Sequence, residues 1–199
     1  LVRSRGLGDV YKRQSKAAMI DPSPIQNLDY GFDCYATQAF NAPDGRALAV
    51  SWLGLPDVEY PSDRFDYQGA FSLVKELTLK DGKLYQYPVP AIKNLRAEEQ
   101  PFANLAESKN SYELELKFAA DTEHEIVLFA DKDGKGLRIN FDLKAGQVTV
   151  DRSQAGEPFA LDFGTSRSCN IDKETTNASI FIDKSIFEIF INKGEKVFS

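Results

Sequence analysis

An alternation of apolar and polar residues with a period of two runs through most of this chain and constrains its fold more than any other feature. Short runs rich in aromatic and β-branched residues are separated by turns that contain Gly, Asp, Asn and Pro. Because successive side chains of a strand point to opposite faces, this period indicates half-buried strands rather than helices. We therefore predict an all-β fold.

The first half of the chain is predicted to form one antiparallel sheet of four strands. The last two strands are joined by the turn K-D-G-K, and Asp-Gly between two such runs is a strong hairpin signal. Four antiparallel strands make one blade of a β-propeller, which cannot stand alone because its faces need neighbouring blades. The predicted strands are Phe32–Phe40, Ala47–Leu53, Phe71–Leu79 and Lys83–Val89.

A second all-β region follows a stretch that lacks the alternation. Residues 93–110 are predicted to be a linker, with a short helical turn at Ala97–Leu105. Many short strands at regular spacing, joined by turns such as D-K-D-G-K and N-K-G-E, predict a β-sandwich over residues 111–199. Its predicted strands are Tyr112–Phe118, Glu125–Ala130, Leu137–Leu143, Gln147–Asp151, Ala178–Ile182 and Ser185–Ile191.

The two ends of the chain do not match the pattern between them. Residues 1–14 are rich in Arg and Lys, show no strand alternation and resemble translated adapter sequence. We expect them to be non-native, so that the final blade and its lead-in occupy residues 15–92. The run Lys196–Ser199 reads as the middle of a strand, and we expect the sandwich to be truncated there.

Composition limits the partners and the chemistry of the chain. The net charge of −6 argues against a nucleic-acid or membrane partner, because both favour a basic face. No apolar run reaches the roughly 18 residues of a membrane span. A metal site and a cofactor are not expected, since no His/Cys/Asp cluster has ligand spacing. The single histidine, His124, is expected to be exposed, and Cys34 and Cys169 to be free thiols.

The stretch L-D-Y-G-F-D-C-Y-A-T-Q-A-F, Leu28 to Phe40, concentrates residue types that bind sugars. Carboxylates accept hydrogen bonds from sugar hydroxyls, and aromatic faces stack on the C–H surface of the ring. Alternation places Asp33, Tyr35 and Thr37 on one face, which can line a cavity, opposite the side that carries Cys34. The alternative is that Asp33 and Tyr35 only cap a strand at a solvent-exposed edge.

The acidic residues of the chain do not form an evident catalytic pair. A glycosidase needs two carboxyl groups about 5–5.5 Å apart for retention, or about 6.5–9.5 Å apart for inversion. On one strand, Asp29 and Asp33 would face the same way but lie roughly 13 Å apart. In the predicted sandwich, Asp183 and Glu188 are expected to point outward to solvent.

Trp52, the only tryptophan, stands in A-V-S-W-L-G, just before a long polar loop over residues 54–69. A single Trp in an apolar strand favours a core position. The alternative is a platform for a sugar ring, because the strand ends there and opens into the loop. Arg64 in the same loop is the one candidate for a contact with a phosphate group.

Four motifs, in this order, resemble glycoside hydrolase family 32, which includes invertases, fructanases and sucrose-6-phosphate hydrolases. They are L-D-Y-G-F-D-C-Y-A-T-Q-A-F, S-W-L-G-L-P-D-V-E-Y-P-S-D-R, K-E-L-T-L-K-D-G-K-L-Y-Q-Y-P-V and I-F-I-D-K-S-I-F-E-I-F-I-N-K-G-E-K-V-F-S. The motif that contains Trp52 is most similar to the bacterial sucrose-6-phosphate hydrolase branch. The resemblance implies the last blade of a five-bladed β-propeller followed by a C-terminal β-sandwich.

The resemblance also implies a retaining β-fructofuranosidase of the bacterial cytoplasm, acting on sucrose 6-phosphate or sucrose without a cofactor. The family motifs W-M-N-D-P-N-G, R-D-P and E-C, which carry its catalytic carboxyl groups, do not occur in these 199 residues. No catalytic residue is therefore carried over, and the chain alone is expected to be inactive. Asp33, Tyr35 and Trp52 match positions near the fructosyl subsite and are the predicted substrate-binding residues. The alternative function is a stand-alone carbohydrate-binding or interaction β-sandwich module.

Overall fold

A computed structural model describes residues 26–101, 110–175 and 177–199, and within these ranges the chain forms thirteen strands and three short 3-10 helices. The all-β prediction is confirmed. The helices are Pro61–Phe65, Pro90–Leu95 and Leu161–Phe163. The strands are β1 (Cys34–Asn41), β2 (Ala47–Leu53), β3 (Ala70–Phe71), β4 (Lys75–Lys80), β5 (Lys83–Pro88), β6 (Ser111–Lys117), β7 (Glu123–Leu128), β8 (Leu137–Asp142), β9 (Gln147–Asp151), β10 (Ser166–Asn170), β11 (Asn177–Asp183), β12 (Ile186–Ile191) and β13 (Lys196–Phe198).

The blade sheet has the strand order β1-β2-β4-β5, with β3 paired to β2. The prediction of one strand over Phe71–Leu79 is wrong, because the chain leaves the sheet between β3 and β4. There the Ser72 hydroxyl accepts the Ser51 backbone N–H at 2.9 Å, and the Leu73 backbone N–H donates to Glu188 at 2.7 Å. Side-chain oxygens thus take over part of the hydrogen bonding, beside the backbone bond from Ser72 to the Ser51 carbonyl, and alternation alone cannot reveal this.

A β-bulge interrupts β1. The pairing passes from Tyr35 opposite Trp52 to Gln38 opposite Val50, so two residues of β1 face one of β2. Ala36 takes a positive φ of 51° at this point. The Thr37 hydroxyl lies 3.9 Å from the Cys34 sulfur, so the prediction that Thr37 shares a face with Asp33 and Tyr35 is wrong.

The sandwich consists of two antiparallel four-stranded sheets, β10-β9-β8-β7 and β13-β12-β11-β6. Strand β10 was not predicted, because S-R-S-C-N buries only Cys169. Alternate residues of the other strands meet between the sheets, where burial of each large apolar side chain contributes roughly 1.5–3 kcal/mol. This core includes Leu128, Ile139, Phe141, Val148, Val150, Ala178, Ile180, Ile189, Ile191 and Phe198.

The sheet β13-β12-β11-β6 is covered on both faces, since the blade packs on its outer side. The Tyr87 hydroxyl lies 2.8 Å from the Ser179 hydroxyl, and its ring meets Phe190 at 5.6 Å. Glu188 points to the same side and is 2% exposed, so the prediction that it faces solvent is wrong. It forms a buried ion pair with Lys75 of β4, with 3.7 Å between the charged atoms. Asp183 is exposed, as predicted.

The lead-in before β1 joins the blade to the edge of the sandwich. The Tyr30 and Phe32 backbone N–H groups donate to the carbonyls of Val197 and Ser199, both at 2.8 Å. The part of the predicted linker that the structure describes is held against β6 by Arg96, which donates to Glu113 at 2.6 Å. Of the helical turn predicted at Ala97–Leu105, residues 97–101 are not helical and the rest lie outside the described residues, as do residues 1–14.

No helix in the described ranges is both long enough and apolar enough to cross a membrane.

Candidate substrate-binding wall

The three predicted site residues meet at one end of the β1–β2 pair. Tyr35 and Trp52 lie directly opposite each other, and their rings meet edge to face with centroids 6.2 Å apart. Asp33 precedes β1, and its carbonyl accepts the Gly54 backbone N–H at 2.8 Å, which continues the pairing. Because side chains two residues apart share a face, all three side chains lie on the same side. We call Asp33, Tyr35 and Trp52 the wall.

Two glycines fix the position of the Trp52 indole. A Cβ atom on Gly54 would lie 2.6 Å from the indole Cε2, and one on Gly69 would lie 2.2 Å from Nε1. The indole therefore packs directly on the backbone of two residues, and only glycine leaves room for it there. Trp52 is half-buried, so the core position that its strand pattern favoured is wrong.

Asp33 is half-buried beside groups that favour its ionised form. Burial raises the pKa of the Asp33 carboxyl, and Arg152, a hydrogen bond from Tyr60 and the charge of Arg167 act in the opposite direction. The Leu55 backbone N–H donates to the Tyr60 oxygen at 3.0 Å. Burial and the Asp33 charge raise the pKa of Tyr60 to about 12, so the phenol stays protonated beside Asp33.

Two arginines of the sandwich reach this side of the blade. The Phe32 ring lies between them, 5.0 Å from the guanidinium carbon of Arg152 and 4.7 Å from that of Arg167. Burial lowers the pKa of Arg152, and the charge of Asp33 raises it. Sequence reasoning missed all three. Tyr60 lies in the polar loop after β2, Arg152 follows β9 and Arg167 lies in β10, and no local pattern at these positions points to Asp33.

The remaining candidates from the sequence are engaged elsewhere. Asp29 accepts hydrogen bonds from the Gly31 backbone N–H at 2.7 Å and from the Ser199 hydroxyl at 2.8 Å, so it ties the lead-in to the end of β13. Arg64 forms an ion pair with Glu157 of the sandwich. The wall therefore presents one carboxylate with a phenol and an indole, which suits hydrogen bonding and stacking with a sugar ring rather than bond cleavage.

The chain is similar to proteins named sucrose-6-phosphate hydrolase. The one from Streptococcus mutans serotype c is 62% identical over 184 residues, which are 92% of this chain and 38% of that protein. The structure of the one from Lactobacillus gasseri matches with a TM-score of 0.80 and 42% identity over 86% of this chain and 37% of that one.

A Bombyx mori family 32 β-fructofuranosidase mutant, solved in complex with sucrose, matches with a TM-score of 0.69 and 26% identity. The match covers 87% of this chain and 36% of that one. The chain thus spans less than two fifths of the length of each of these three proteins.

Two family models together cover residues 7–199. The model of the glycosyl hydrolases family 32 N-terminal domain matches residues 7–88, which include part of the segment predicted to be non-native. The model of the glycosyl hydrolases family 32 C terminal matches residues 86–199. The two meet at the end of β5, where the blade passes into the segment that leads to the sandwich. The chain belongs to glycosyl hydrolase family 32.

Proposed function

We propose that this chain is the C-terminal part of a retaining β-fructofuranosidase that hydrolyses sucrose 6-phosphate or sucrose. The observation that carries the proposal is the wall, in which Asp33, Tyr35 and Trp52 share one face of a blade in a family 32 chain. A carboxylate between an indole and a phenol can hold a fructosyl ring by its hydroxyls and its apolar face.

The similar proteins support the substrate class. The Streptococcus mutans and Lactobacillus gasseri proteins are named sucrose-6-phosphate hydrolases, and the Bombyx mori enzyme was solved with sucrose. We place the enzyme in the bacterial cytoplasm, because the charge of a phosphorylated sugar prevents it from crossing the membrane and so keeps it inside the cell. Its mechanism is proposed to need no cofactor, since two carboxyl groups suffice for retaining hydrolysis.

In this proposal the chain binds sugar, and the rest of the enzyme supplies the nucleophile and the acid/base. The motifs that carry these groups in the family, W-M-N-D-P-N-G and E-C, do not occur in the 199 residues. The isolated chain should therefore leave sucrose and sucrose 6-phosphate intact. Turnover of either sugar by purified residues 15–199 would contradict this division of roles.

A chimera tests the proposed activity. Residues 15–199 replace the matching part of the Streptococcus mutans protein, which is 62% identical. We expect the chimera to hydrolyse sucrose 6-phosphate, and Asp33→Asn or Trp52→Ala to raise its KM about tenfold or more, since each removes a contact to the sugar. A chimera that folds as the parent does but shows no hydrolysis would overturn the proposal.

A second assay distinguishes the proposed function from the alternative, which is a stand-alone sugar-binding module. The sandwich has a core of its own between two four-stranded sheets, which is the observation that favours it. Immobilised fructan would retain such a module in the absence of the rest of the enzyme. We expect the isolated chain to pass through the column, because half of the subsite is missing.

A further inference from the structure

One arginine of the sandwich connects it to the wall. Arg152 directly follows β9 and stacks between two aromatic rings. Its guanidinium carbon is 5.0 Å from the centroid of Phe32 and 4.4 Å from that of Phe159. Phe32 immediately precedes Asp33, so the sandwich reaches the backbone that carries the carboxylate of the wall.

Hydrogen bonds hold the guanidinium in its plane. Its terminal nitrogens donate to the carbonyls of Phe159 at 3.0 Å, Ala160 at 3.2 Å and Gly164 at 3.2 Å. Its Nε is buried and has no acceptor within the described part of the chain. Contacts with two aromatic rings and hydrogen bonds to three carbonyls thus fix the orientation of the group.

The same sandwich loop supports the other flank of Asp33. Phe159 packs against Tyr60 with ring centroids 5.3 Å apart, and the Tyr60 phenol lies close enough to the Asp33 carboxyl to lower its pKa. In the same loop, Glu157 pairs with Arg64 and so ties down the helix that follows Tyr60. Both neighbours of Asp33, Phe32 and Tyr60, therefore rest on the stack that Arg152 forms with Phe159.

We propose that Arg152 is a positioning residue for substrate binding, which holds Phe32 and Phe159 and thereby sets the Asp33 carboxylate in place to receive a sugar hydroxyl. This inference rests on the function proposed above and gives the sandwich a part in recognising the substrate. Arg152 itself does not contact the sugar, because two rings and three carbonyls already engage its guanidinium.

Arginine is the side chain that this place requires. A guanidinium is planar, stacks on two rings at once and directs several N–H donors within one plane. Lysine would keep the positive charge near Asp33 but would lose the stack and most of the hydrogen bonds. Methionine would keep much of the length and lose the charge. Both substitutions remove the stack and only methionine removes the charge, so the effect of Arg152→Lys reports the geometry and the difference between the two variants reports the charge.

A kinetic comparison in the chimera described above is the first test. The variants are Arg152→Met, Arg152→Lys and the control Arg138→Met, which alters a sandwich arginine that bonds Glu125 at 2.7 Å. We expect Arg152→Met to raise KM for sucrose 6-phosphate about tenfold with kcat within about twofold, because Asp33 binds rather than reacts. Arg152→Lys, which also loses the stack, should raise KM by a similar factor, and Arg138→Met should not raise it.

A second measurement follows Asp33 without turnover. A carboxyl ¹³C titration of the whole 199-residue chain, assigned with Asp33→Asn, gives the pKa of this group. Loss of the Arg152 charge should raise the Asp33 pKa further in Arg152→Met, because this charge opposes the effect of burial. Arg152→Lys and Arg138→Met should leave that pKa near the wild-type value.

The two readouts separate this inference from the proposed function. A folded Arg152→Met chimera with unchanged KM and unchanged Asp33 pKa would overturn the positioning role. If the wild-type chimera is inactive but Arg152→Met shifts the Asp33 pKa as expected, the proposed function is contradicted and the coupling of Arg152 to Asp33 is supported. If Arg152→Met does not fold, Phe159→Leu removes one side of the stack, and an unchanged KM there overturns the proposal.

Discussion

Trp52 shows how a single residue depends on the size of its neighbours. Its indole lies against Gly54 and Gly69, and a methyl group at either position would overlap it. Its edge-to-face contact with Tyr35 holds the other part of the ring system. These two glycines, which have no side chain, therefore determine the geometry of the wall as much as its aromatic residues do.

We predict that Gly54→Ala displaces the indole and destabilises the fold by roughly 1–3 kcal/mol, since the new methyl group would lie 2.6 Å from Trp52 Cε2. The intrinsic fluorescence of this only tryptophan reports the displacement directly. Gly45→Ala is the control for the emission spectrum, because no atom lies within 4 Å of its added Cβ; its φ of 87° makes that substitution costly in backbone strain, but without any contact to Trp52. An unchanged emission spectrum in Gly54→Ala would contradict the tight contact.

At the scale of elements, the contact between β4 and β12 places charge inside the molecule. Glu188 and Lys75 are 2% and 1% exposed in their side chains, and the Leu73 backbone N–H donates to the carboxylate at 2.7 Å. Asp29 adds a second negative charge nearby. Burial raises the pKa of Glu188 to about 7, because desolvation outweighs the attraction of Lys75.

This shift predicts a pH-dependent stability. The Glu188 pKa is higher in the folded chain than its ordinary value of 4.5, so the folded state binds the proton more tightly. The contribution of Glu188 to the free energy of unfolding should therefore fall as the pH rises from about 4.5 to about 7, by at most roughly 3 kcal/mol. Urea unfolding across this range, compared with Glu188→Gln, measures it.

A flat difference between wild type and Glu188→Gln over that range would show that Glu188 does not titrate there. The double variant Lys75→Leu/Glu188→Leu is the companion control. This contact should then contribute little to the pH dependence of the free energy of unfolding. The stability of the double variant should be close to that of wild type, since replacing a buried ion pair by apolar side chains of similar volume is often nearly neutral.

At the scale of the whole molecule, the sandwich is the one partner of the blade among the described residues, whereas a blade inside a propeller also packs on neighbouring blades. Its outer strand packs on the sandwich through Tyr87 and Gln86, whose backbone N–H donates to the Gly194 carbonyl at 3.0 Å. Elsewhere the blade leaves large apolar side chains in water. Phe71 is 78% exposed, Leu79 75% and Phe40 52%. Such surface invites association between chains.

We predict that the isolated chain self-associates in a concentration-dependent manner, and that Phe71→Asp reduces the association. Light scattering after size-exclusion chromatography measures both. Leu161→Asp is the control, because Leu161 is also well exposed, at 59%, but belongs to a helix of the sandwich and not to the sheet of the blade. A monomer that melts in one cooperative transition at every concentration would contradict the prediction.

Part of the wall followed from local signals. Asp33 and Tyr35 are two residues apart, so alternation places them on one face. Without a bulge, the pairing of Asn41 with Ala47 would put Leu53 opposite Tyr35, so the place of Trp52 in the wall depends on the bulge in β1. Tyr60 and Arg152 could not be found in this way. Their approach to Asp33 depends on the course of two loops and on how the sandwich docks, which no local period encodes.

The sequence by itself determined the all-β class, the order of blade and sandwich and the family. Alternation, turn residues and long motifs are all visible in residues that are close together along the chain. Only the tertiary structure decided the face of Thr37, since a bulge shifts the register after Tyr35. It also decided the burial of Glu188 and the role of Arg152. Both depend on the second layer that covers a sheet, and a strand pattern shows that a face is polar but not what packs against it.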